Sequence, residues 1–323
     1  MSDLGEIFVP EADYEKTMQT RVMPYIDARR ADGYFTGYDG NPIHYVSFTA
    51  DGESKATVIV SHGFTESAEK WHETVYYLLN YGYNVNVIEH RGHALSHRSV
   101  ADKTLTHIDR FDEYVSDFAL FVEFTKAERQ GDVYLFAHSM GCAIGLMYLE
   151  SHPGAIKKVF LSSPMIMPDT GGIPAWCGRF ITRAAIMLGM GKKRAFVSGK
   201  YPGDEKFEDS AKTSRARFDE YNAIKRSNPD YQNYSCTYGW VNNSLRVCKK
   251  ILKKGEPEKI TAKTFVAIAG KDTVVERKPQ LELVGRVRSC EYKIYEDAKH
   301  EIYGSTDRVT KEYFNDLLVF FGN

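Results

Sequence analysis

The 323-residue chain contains little cysteine, and its cysteines are not arranged in pairs. They are odd in number and scattered, at Cys142, Cys177, Cys236, Cys248 and Cys290. This distribution argues against a disulfide framework and against a cysteine-based zinc site. The sequence therefore predicts a reduced protein without a structural metal.

The chain also lacks an excess of charge of either sign and any long hydrophobic run. Lys and Arg total 42 and Asp and Glu total 43, which gives a formal net charge of -1. Nucleic-acid binding normally needs a pronounced basic field, so no nucleic-acid partner is expected. No apolar run is long enough for a signal core or a membrane span, and the first six residues are acidic rather than basic. We expect a cytoplasmic location.

Apolar segments of strand length alternate with segments of helical spacing, a pattern typical of the α/β class. The predicted elements are a hairpin at residues 34–38 and 42–48, strands at 58–61, 84–89, 133–137 and 159–162, and helices at 71–81, 111–129 and 314–321. The alternation stops after residue 164, and the sheet resumes at Thr264. One domain with an insertion is more economical than two domains. We predict a core of residues 1–164 and 252–323 with residues 165–251 inserted.

A single serine stands on a sharp bend between a predicted strand and a predicted helix. Ser139 follows the apolar run at 133–137, and apolar residues recur with helical spacing beyond it. The nucleophile elbow has the motif G-x-S-x-G, because its strained turn tolerates little beyond a Cβ atom at the two flanking positions. Ala137 and Gly141 occupy these positions here. The pattern predicts that Ser139 is a nucleophile.

A serine nucleophile needs a base to accept its proton and a third group to orient that base. Asp272 and His300 each lie in a loop after a predicted strand. The order serine, aspartate, histidine is the order found in α/β-hydrolases. Asp297 and Glu296 also lie near His300, but residues so few positions upstream are poorly placed to approach its far ring nitrogen. We predict His300 as the base and Asp272 as the acid.

The oxyanion formed by attack on a carbonyl needs fixed donors, normally backbone N–H groups. The sequence predicts the N–H of Met140, directly after the nucleophile, and the N–H of Phe64, in the loop after an early strand. His62 and Gly63 turn the chain there. Alternatively these two residues form an ordinary turn in which His62 bonds only to local backbone, and Phe64 can donate in that case too.

Four motifs and one further segment resemble those of a known family. They are HGFTES at 62–67, EHRGHALS at 89–96, AHSMGC at 137–142 and AKHEI at 298–302, with GKDTVV at 270–275. In these residues the chain resembles the α/β-hydrolases of the monoacylglycerol lipase and bacterial lysophospholipase type. Glu89 and Ala94 depart from the family's D-H-R-G-x-G-x-S motif, and Ala137 and Cys142 replace common glycines. All three triad positions are intact.

The resemblance implies an α/β-hydrolase fold, with a mostly parallel central sheet flanked by helices and residues 165–251 forming a helical cap. It implies a serine hydrolase that cleaves carboxylic esters of single-acyl-chain lipids, lysophospholipid or monoacylglycerol, through an acyl-enzyme and without a cofactor. A peptidase, a thioesterase or a carbon–carbon bond hydrolase on the same scaffold remains an alternative, as does a non-catalytic binding protein.

An apolar segment of the predicted cap carries three candidate substrate-binding residues, Trp176, Phe180 and Met187. A basic run at residues 192–194 follows it, and apolar lining beside basic residues suits a lipid with a polar end. Equally, such residues are often packing side chains and solvated charges. We expect a small-molecule acyl ester as the substrate and transient contact of the cap with a membrane surface. The oligomeric state is left open.

Histidines outside the triad have other predicted roles. Three of them lie close together, at His90, His93 and His97. They could suggest metal ligands, but Arg91 lies among them and the matching family loop braces the site, so no metal is predicted. His138 is expected to point away from the nucleophile and to pack or cap.

Overall fold

The computed structural model describes residues 4–169, 172 and 174–323. The strands, in chain order, are β1 Arg30–Thr36, β2 Pro42–Phe48, β3 Thr57–Ser61, β4 Asn84–Ile88, β5 Leu105–Thr106, β6 Val133–His138, β7 Lys158–Ser162, β8 Ser235–Cys236, β9 Lys263–Ala269 and β10 Cys290–Tyr295. One eight-stranded sheet has the order β1-β2-β4-β3-β6-β7-β9-β10. β2 pairs antiparallel with β1 and β4, and the other neighbours are parallel.

Helices connect the parallel strands, since such strands cannot be joined by tight hairpins. The α-helices are α1 Tyr14–Thr17, α2 Met23–Asp27, α3 His72–Asn80, α4 Asp112–Glu128, α5 Met140–Ser151, α6 Ala175–Met187, α7 Arg215–Ser227, α8 Tyr238–Ile251, α9 Arg277–Arg286 and α10 Asp307–Gly322. A π-helical turn at Met18–Val22 joins α1 to α2. Among the described residues, none of these helices is both long and apolar enough to cross a membrane.

The two faces of the sheet are covered by different helices because successive side chains of a strand point to opposite faces. Val58 and Val60 of β3 pack with α3 and α10 on one face. Ile59 packs with α4 and α5 on the other. Both faces are therefore apolar, as expected for a parallel sheet.

Most predicted core elements are confirmed to within one residue at each end. β1 is an exception: it begins at Arg30, which pairs with Phe48, although polar residues in its first half hide it in the sequence. α10 begins at Asp307 rather than at residue 314, because Val309 and Thr310 are already buried in its first turns. α1 and α2 lie before residue 34, where the sequence pattern predicts no element.

The chain between β7 and β9 contains α6, α7, α8 and the short strand β8. α6 packs on α8, with Gly178 close to Leu245. β8 pairs in parallel with β5 and so ties this segment to the loop after β4. The predicted boundaries of the cap, residues 165–251, stay a prediction. Residues 170, 171 and 173 of this range lie outside the described residues.

Candidate active site

Ser139 occupies the turn between β6 and α5 in a conformation that few residues adopt. Its φ is 50° and its ψ is -113°, and its N–H donates to the carbonyl of Ser162 on β7 at 3.0 Å. A Cβ atom on Gly141 would lie only 2.1 Å from the carbonyl oxygen of Ser61, so glycine is required there. Ala137 fits without glycine as a fully buried residue of β6. The turn raises Ser139 at the carboxyl end of the central strand.

The structure brings Ser139, His300 and Asp272 into one hydrogen-bonded series. His300 Nε2 lies 2.9 Å from Ser139 Oγ, and His300 Nδ1 lies 2.8 Å from Asp272 Oδ2. Asp272 follows β9 and His300 follows β10, at the same edge of the sheet as Ser139. This is the geometry in which a histidine can accept a serine proton while a carboxylate orients its ring.

The carboxylate of Asp272 is held ionised by its neighbours. Burial opposes ionisation, but His300 and the N–H groups of Val274 and Val275 hydrogen-bond to the carboxylate and hold the pKa of Asp272 below its usual value. Asp297 instead pairs with Lys271 and Arg308 on the exposed surface. The geometry therefore gives Asp272, and not Asp297, access to His300.

The two backbone N–H groups predicted to bind the oxyanion lie in the turns after β6 and β3. Met140 begins α5, and Phe64 follows the turn after β3. In the part of the chain that the structure describes, neither N–H donates to a protein acceptor. His62 lies behind this turn, where its Nδ1 is 2.7 Å from the Gly63 carbonyl and its Nε2 accepts the N–H of His90. His62 therefore bonds to local backbone, as the alternative prediction has it, and also to the loop after β4.

Glu66 fixes the loop that carries Phe64, a role that the sequence analysis missed although Glu66 lies within the HGFTES motif. Its carboxylate accepts hydrogen bonds from the N–H of Gly63 at 2.6 Å, from Lys70 at 2.8 Å and from the Tyr303 hydroxyl at 2.8 Å. Burial opposes ionisation, yet Lys70 and His138 keep the pKa of Glu66 well below its usual value. The buried carboxylate of Glu66 thus fixes the position of this loop through hydrogen bonds.

His138 packs beneath the site. Its Nδ1 lies 3.0 Å from Glu66 Oε1, and its ring centre lies 4.9 Å from that of His300. His300, rather than His138, contacts the serine hydroxyl.

Three buried histidines lie in the loops after β3 and β4. Burial lowers the pKa of His62, His90 and His93 below the usual histidine range. His90 Nε2 lies 2.9 Å from Ser61 Oγ, and His93 Nδ1 lies 3.1 Å from a backbone carbonyl. Within the described residues, no group of His, Cys, Asp and Glu side chains is arranged to hold a metal ion.

The departures from the second family motif have structural explanations. The Glu89 carboxylate accepts the N–H groups of Ala68 and Leu95, so it joins the loops after β3 and β4. Ala94 has a φ of 43°, the left-handed region that favours the glycine usual at this position. Arg91 pairs with Asp117 at 2.6 Å and braces the same loop.

The structure places the three candidate cap residues on the solvent-exposed face of α6. Trp176, Phe180 and Met187 are 68%, 72% and 79% exposed. Their part in acyl binding stays a prediction. Trp240 of α8, which is not among the residues predicted from the sequence, packs against Phe64 with ring centres 4.1 Å apart. The sequence distance between these two aromatic residues leaves no local signal of that contact.

The strand order and the serine turn define the class of protein. A nucleophile elbow after a central parallel strand, with an acid and a histidine following later strands, is the arrangement of the α/β-hydrolases. Cys142 is fully buried, and burial raises the pKa of its thiol well above its usual value, so this thiol is not an activated nucleophile.

Comparison with known proteins specifies the family. Residues 52–307 match the family described as Serine aminopeptidase, S33. Lysophospholipase L2 of Escherichia coli is 28% identical over 298 residues, which cover 90% of this chain and 82% of that protein. Probable lysophospholipase L2 of Haemophilus influenzae is 30% identical over 265 residues, or 80% and 82% of the two chains.

The fold is shared with a solved structure of lower identity. A soluble variant of monoglyceride lipase from Saccharomyces cerevisiae, in complex with a substrate analog, matches with a TM-score of 0.71 and 19% identity over 91% of this chain and 96% of that chain. The chain therefore belongs to the Serine aminopeptidase, S33 family and has the α/β-hydrolase fold. The predicted fold class and the assignment to the hydrolases are confirmed.

Proposed function

We propose that this protein is a serine hydrolase in which Ser139, His300 and Asp272 cleave the ester of a lipid with one acyl chain. The observation that carries the proposal is the continuous contact from Ser139 Oγ to His300 and from His300 to Asp272, at 2.9 and 2.8 Å. Few other arrangements activate a serine hydroxyl at neutral pH.

The mechanism follows from these contacts. Ser139 Oγ attacks the ester carbonyl while His300 Nε2 accepts its proton, and Asp272 stabilises the resulting imidazolium. The N–H groups of Phe64 and Met140 bind the oxyanion. The C–O bond then breaks, and the leaving alcohol takes the proton from His300. Water repeats these steps on the acyl-enzyme and releases the fatty acid.

The relatives favour a lysophospholipid as the substrate. Both reported bacterial relatives carry the name lysophospholipase L2, and one of them reaches 30% identity over most of this chain. Monoacylglycerol is the alternative within the same reaction. Peptide hydrolysis is the alternative that the family description suggests.

The exposed face of α6 supports contact with a membrane surface, where such lipids reside. Trp176, Phe180 and Met187 share this face, while Arg183 on the same helix and Lys193 beyond it are exposed basic residues. An apolar helix face flanked by cations is the pattern of an interfacial helix that meets anionic lipid. The face would bring the site to its substrate.

A substrate panel tests the proposal. It contains lysophosphatidylethanolamine and monoacylglycerol of equal chain length, p-nitrophenyl esters of increasing length, and an amino-acid p-nitroanilide. We expect ester turnover, with Asp272→Asn slowed by roughly 10³-fold or more and the matched variant Asp297→Asn nearly unaffected. A greater loss in Asp297→Asn would move the acid role. Turnover of the anilide without turnover of any ester would contradict the proposed esterase activity and favour a peptidase.

A further inference from the structure

A cavity of about 150 Å³ lies where α7 meets the core, and three buried lysines line it. Lys70, Lys212 and Lys225 are 5%, 8% and 4% exposed at the side chain. Their ammonium groups surround the ring of Tyr221, at 5.1, 5.6 and 5.9 Å from its centre. Lysine is almost never fully buried unless paired, so three around one ring require an explanation.

The three lysines differ in how well their charges are balanced. Lys70 contacts both Glu66 and Glu301 at 2.8 Å, and Lys225 pairs with Glu205. Lys212 donates to the carbonyl of Arg217 at 2.8 Å, whereas its nearest carboxylate oxygen, on Glu301, is 3.7 Å away. Burial lowers the pKa of Lys212 to about 8. Lys212 thus forms an ion pair with Glu301 that is longer than a hydrogen bond. Such a pair offsets the cost of burying the ammonium only in part, and a bound anion would reduce that cost further.

The cavity is lined by the chain neighbours of two residues of the candidate site. Thr65, which follows Phe64 of the oxyanion loop, lines it, and so does Glu301, which follows His300. The N–H of Glu301 donates to the carbonyl of Ala211, next to Lys212, at 3.0 Å. In a lysophospholipid only the three carbons of glycerol separate the ester from the phosphate, so its phosphate must bind near the residues that act on the ester.

We propose that Lys212, with Tyr221, Lys225 and Lys70 around it, binds the phosphate of a glycerophospholipid head group. This inference rests on the proposed function and specifies which of its two candidate lipids the site selects. The cavity also offers an acceptor, since Glu301 Oε2 accepts no hydrogen bond within the described residues. The free hydroxyl of the glycerol can donate to it. Monoacylglycerol has the hydroxyls but lacks the phosphate.

Lys212→Met is the decisive variant because it removes the ammonium and keeps the apolar stem, which packs against Gly304. Lys206→Met, an exposed lysine of the same segment that does not line the cavity, is the matched control. On lysophosphatidylethanolamine we expect Lys212→Met to raise KM about tenfold, with kcat and monoacylglycerol turnover retained and the control unchanged. Equal losses on both lipids, or no loss on either, would overturn the proposal.

Direct binding separates this inference from the proposed function. Calorimetry with glycerophosphoethanolamine and with inorganic phosphate needs no turnover, so it reads the cavity even if the enzyme cleaves no ester. We expect glycerophosphoethanolamine to bind more tightly than phosphate and to lose most of its affinity in Lys212→Met. Equal binding of both probes would indicate a site for free phosphate and contradict the head-group assignment, as would affinity unchanged by the variant.

Discussion

Two helices of the segment between β7 and β9, α6 and α7, differ in which side chains they bury and which they expose. α6 exposes Trp176 and Phe180 to solvent, whereas α7 buries Arg217 and Lys225 against the core. Each helix thus departs from the usual rule that apolar side chains are buried and charged ones exposed. Such departures lower stability and are expected mainly at functional sites. This contrast underlies the two proposals above, contact of α6 with a lipid surface and recognition of the head group by Lys212 together with residues of α7.

The largest loss of stability is expected when Arg217, which attaches α7 to the core, is replaced. Its guanidinium contacts both carboxylate oxygens of Glu73 at 2.9 Å in a buried pair. Arg217→Met leaves Glu73 buried without its partner and should lower the free energy of unfolding by about 3–5 kcal/mol. Denaturant titration measures this change.

The control is two residues away. Arg215 pairs with Asp219 on the surface, both side chains more than half exposed, so Arg215→Met should cost less than about 1 kcal/mol. Equal losses in the two variants would show that α7 is not anchored through the buried pair.

The next largest change in stability is expected at Lys212, and it depends on pH. Because burial lowers its pKa to about 8, the folded state releases this proton at a lower pH than the unfolded state does. The cost of burying the charge is therefore complete below pH 8 and fades as the pH rises toward the pKa of unfolded lysine, about 10.4. Lys212→Met should be more stable than the parent by roughly 1–3 kcal/mol at pH 7, and this gain should shrink toward pH 10.

Unfolding curves of both proteins at pH 7 and pH 10, without phosphate, measure the difference. A gain that is the same at both values would mean that Lys212 does not titrate in this range.

A smaller effect is expected when α6 loses its exposed aromatic groups. Trp176→Ser combined with Phe180→Ser should weaken binding to vesicles containing phosphatidylglycerol about tenfold, or roughly 1.4 kcal/mol, because less apolar area enters the membrane. Co-sedimentation measures the partition. Tyr292, an exposed aromatic residue on β10, supplies the control Tyr292→Ser. If both changes reduce binding equally, α6 has no special role at the surface.

The smallest change in stability is expected at Ala94, in the loop after β4. Its N–H donates a hydrogen bond to Asn233, downstream of α7. Ala94 has a φ of 43°, so Ala94→Gly removes backbone strain and should stabilise the fold by up to about 1 kcal/mol. Ala127→Gly in the exposed part of α4 should have the opposite sign, since glycine destabilises a helix. Thermal unfolding compares the stability of the two variants. Destabilisation by Ala94→Gly would show that the backbone at Ala94 is not strained.

The sequence predicts the triad because its three residues each follow a strand, and parallel strands bring their carboxyl ends to one edge. The Ser139 turn and the motifs around it are local patterns that need no knowledge of distant contacts. The lysine cavity has no such pattern. Tyr221 and Lys225 share a helix face, but their partner Lys70 is far away in the chain, as Glu73 is from Arg217, 144 positions apart. The exposure of α6 depends on its packing against α8, which periodicity alone does not reveal.

The most direct test of the central claim is to find the acyl group during turnover. Rapid quenching of the reaction with lysophosphatidylethanolamine, followed by proteolysis and mass spectrometry, should reveal the fatty acyl group on the peptide that contains Ser139. The same peptide should be unmodified in Ser139→Ala, which should also lack turnover. An acyl group on another residue, or turnover that persists in Ser139→Ala, would contradict the account.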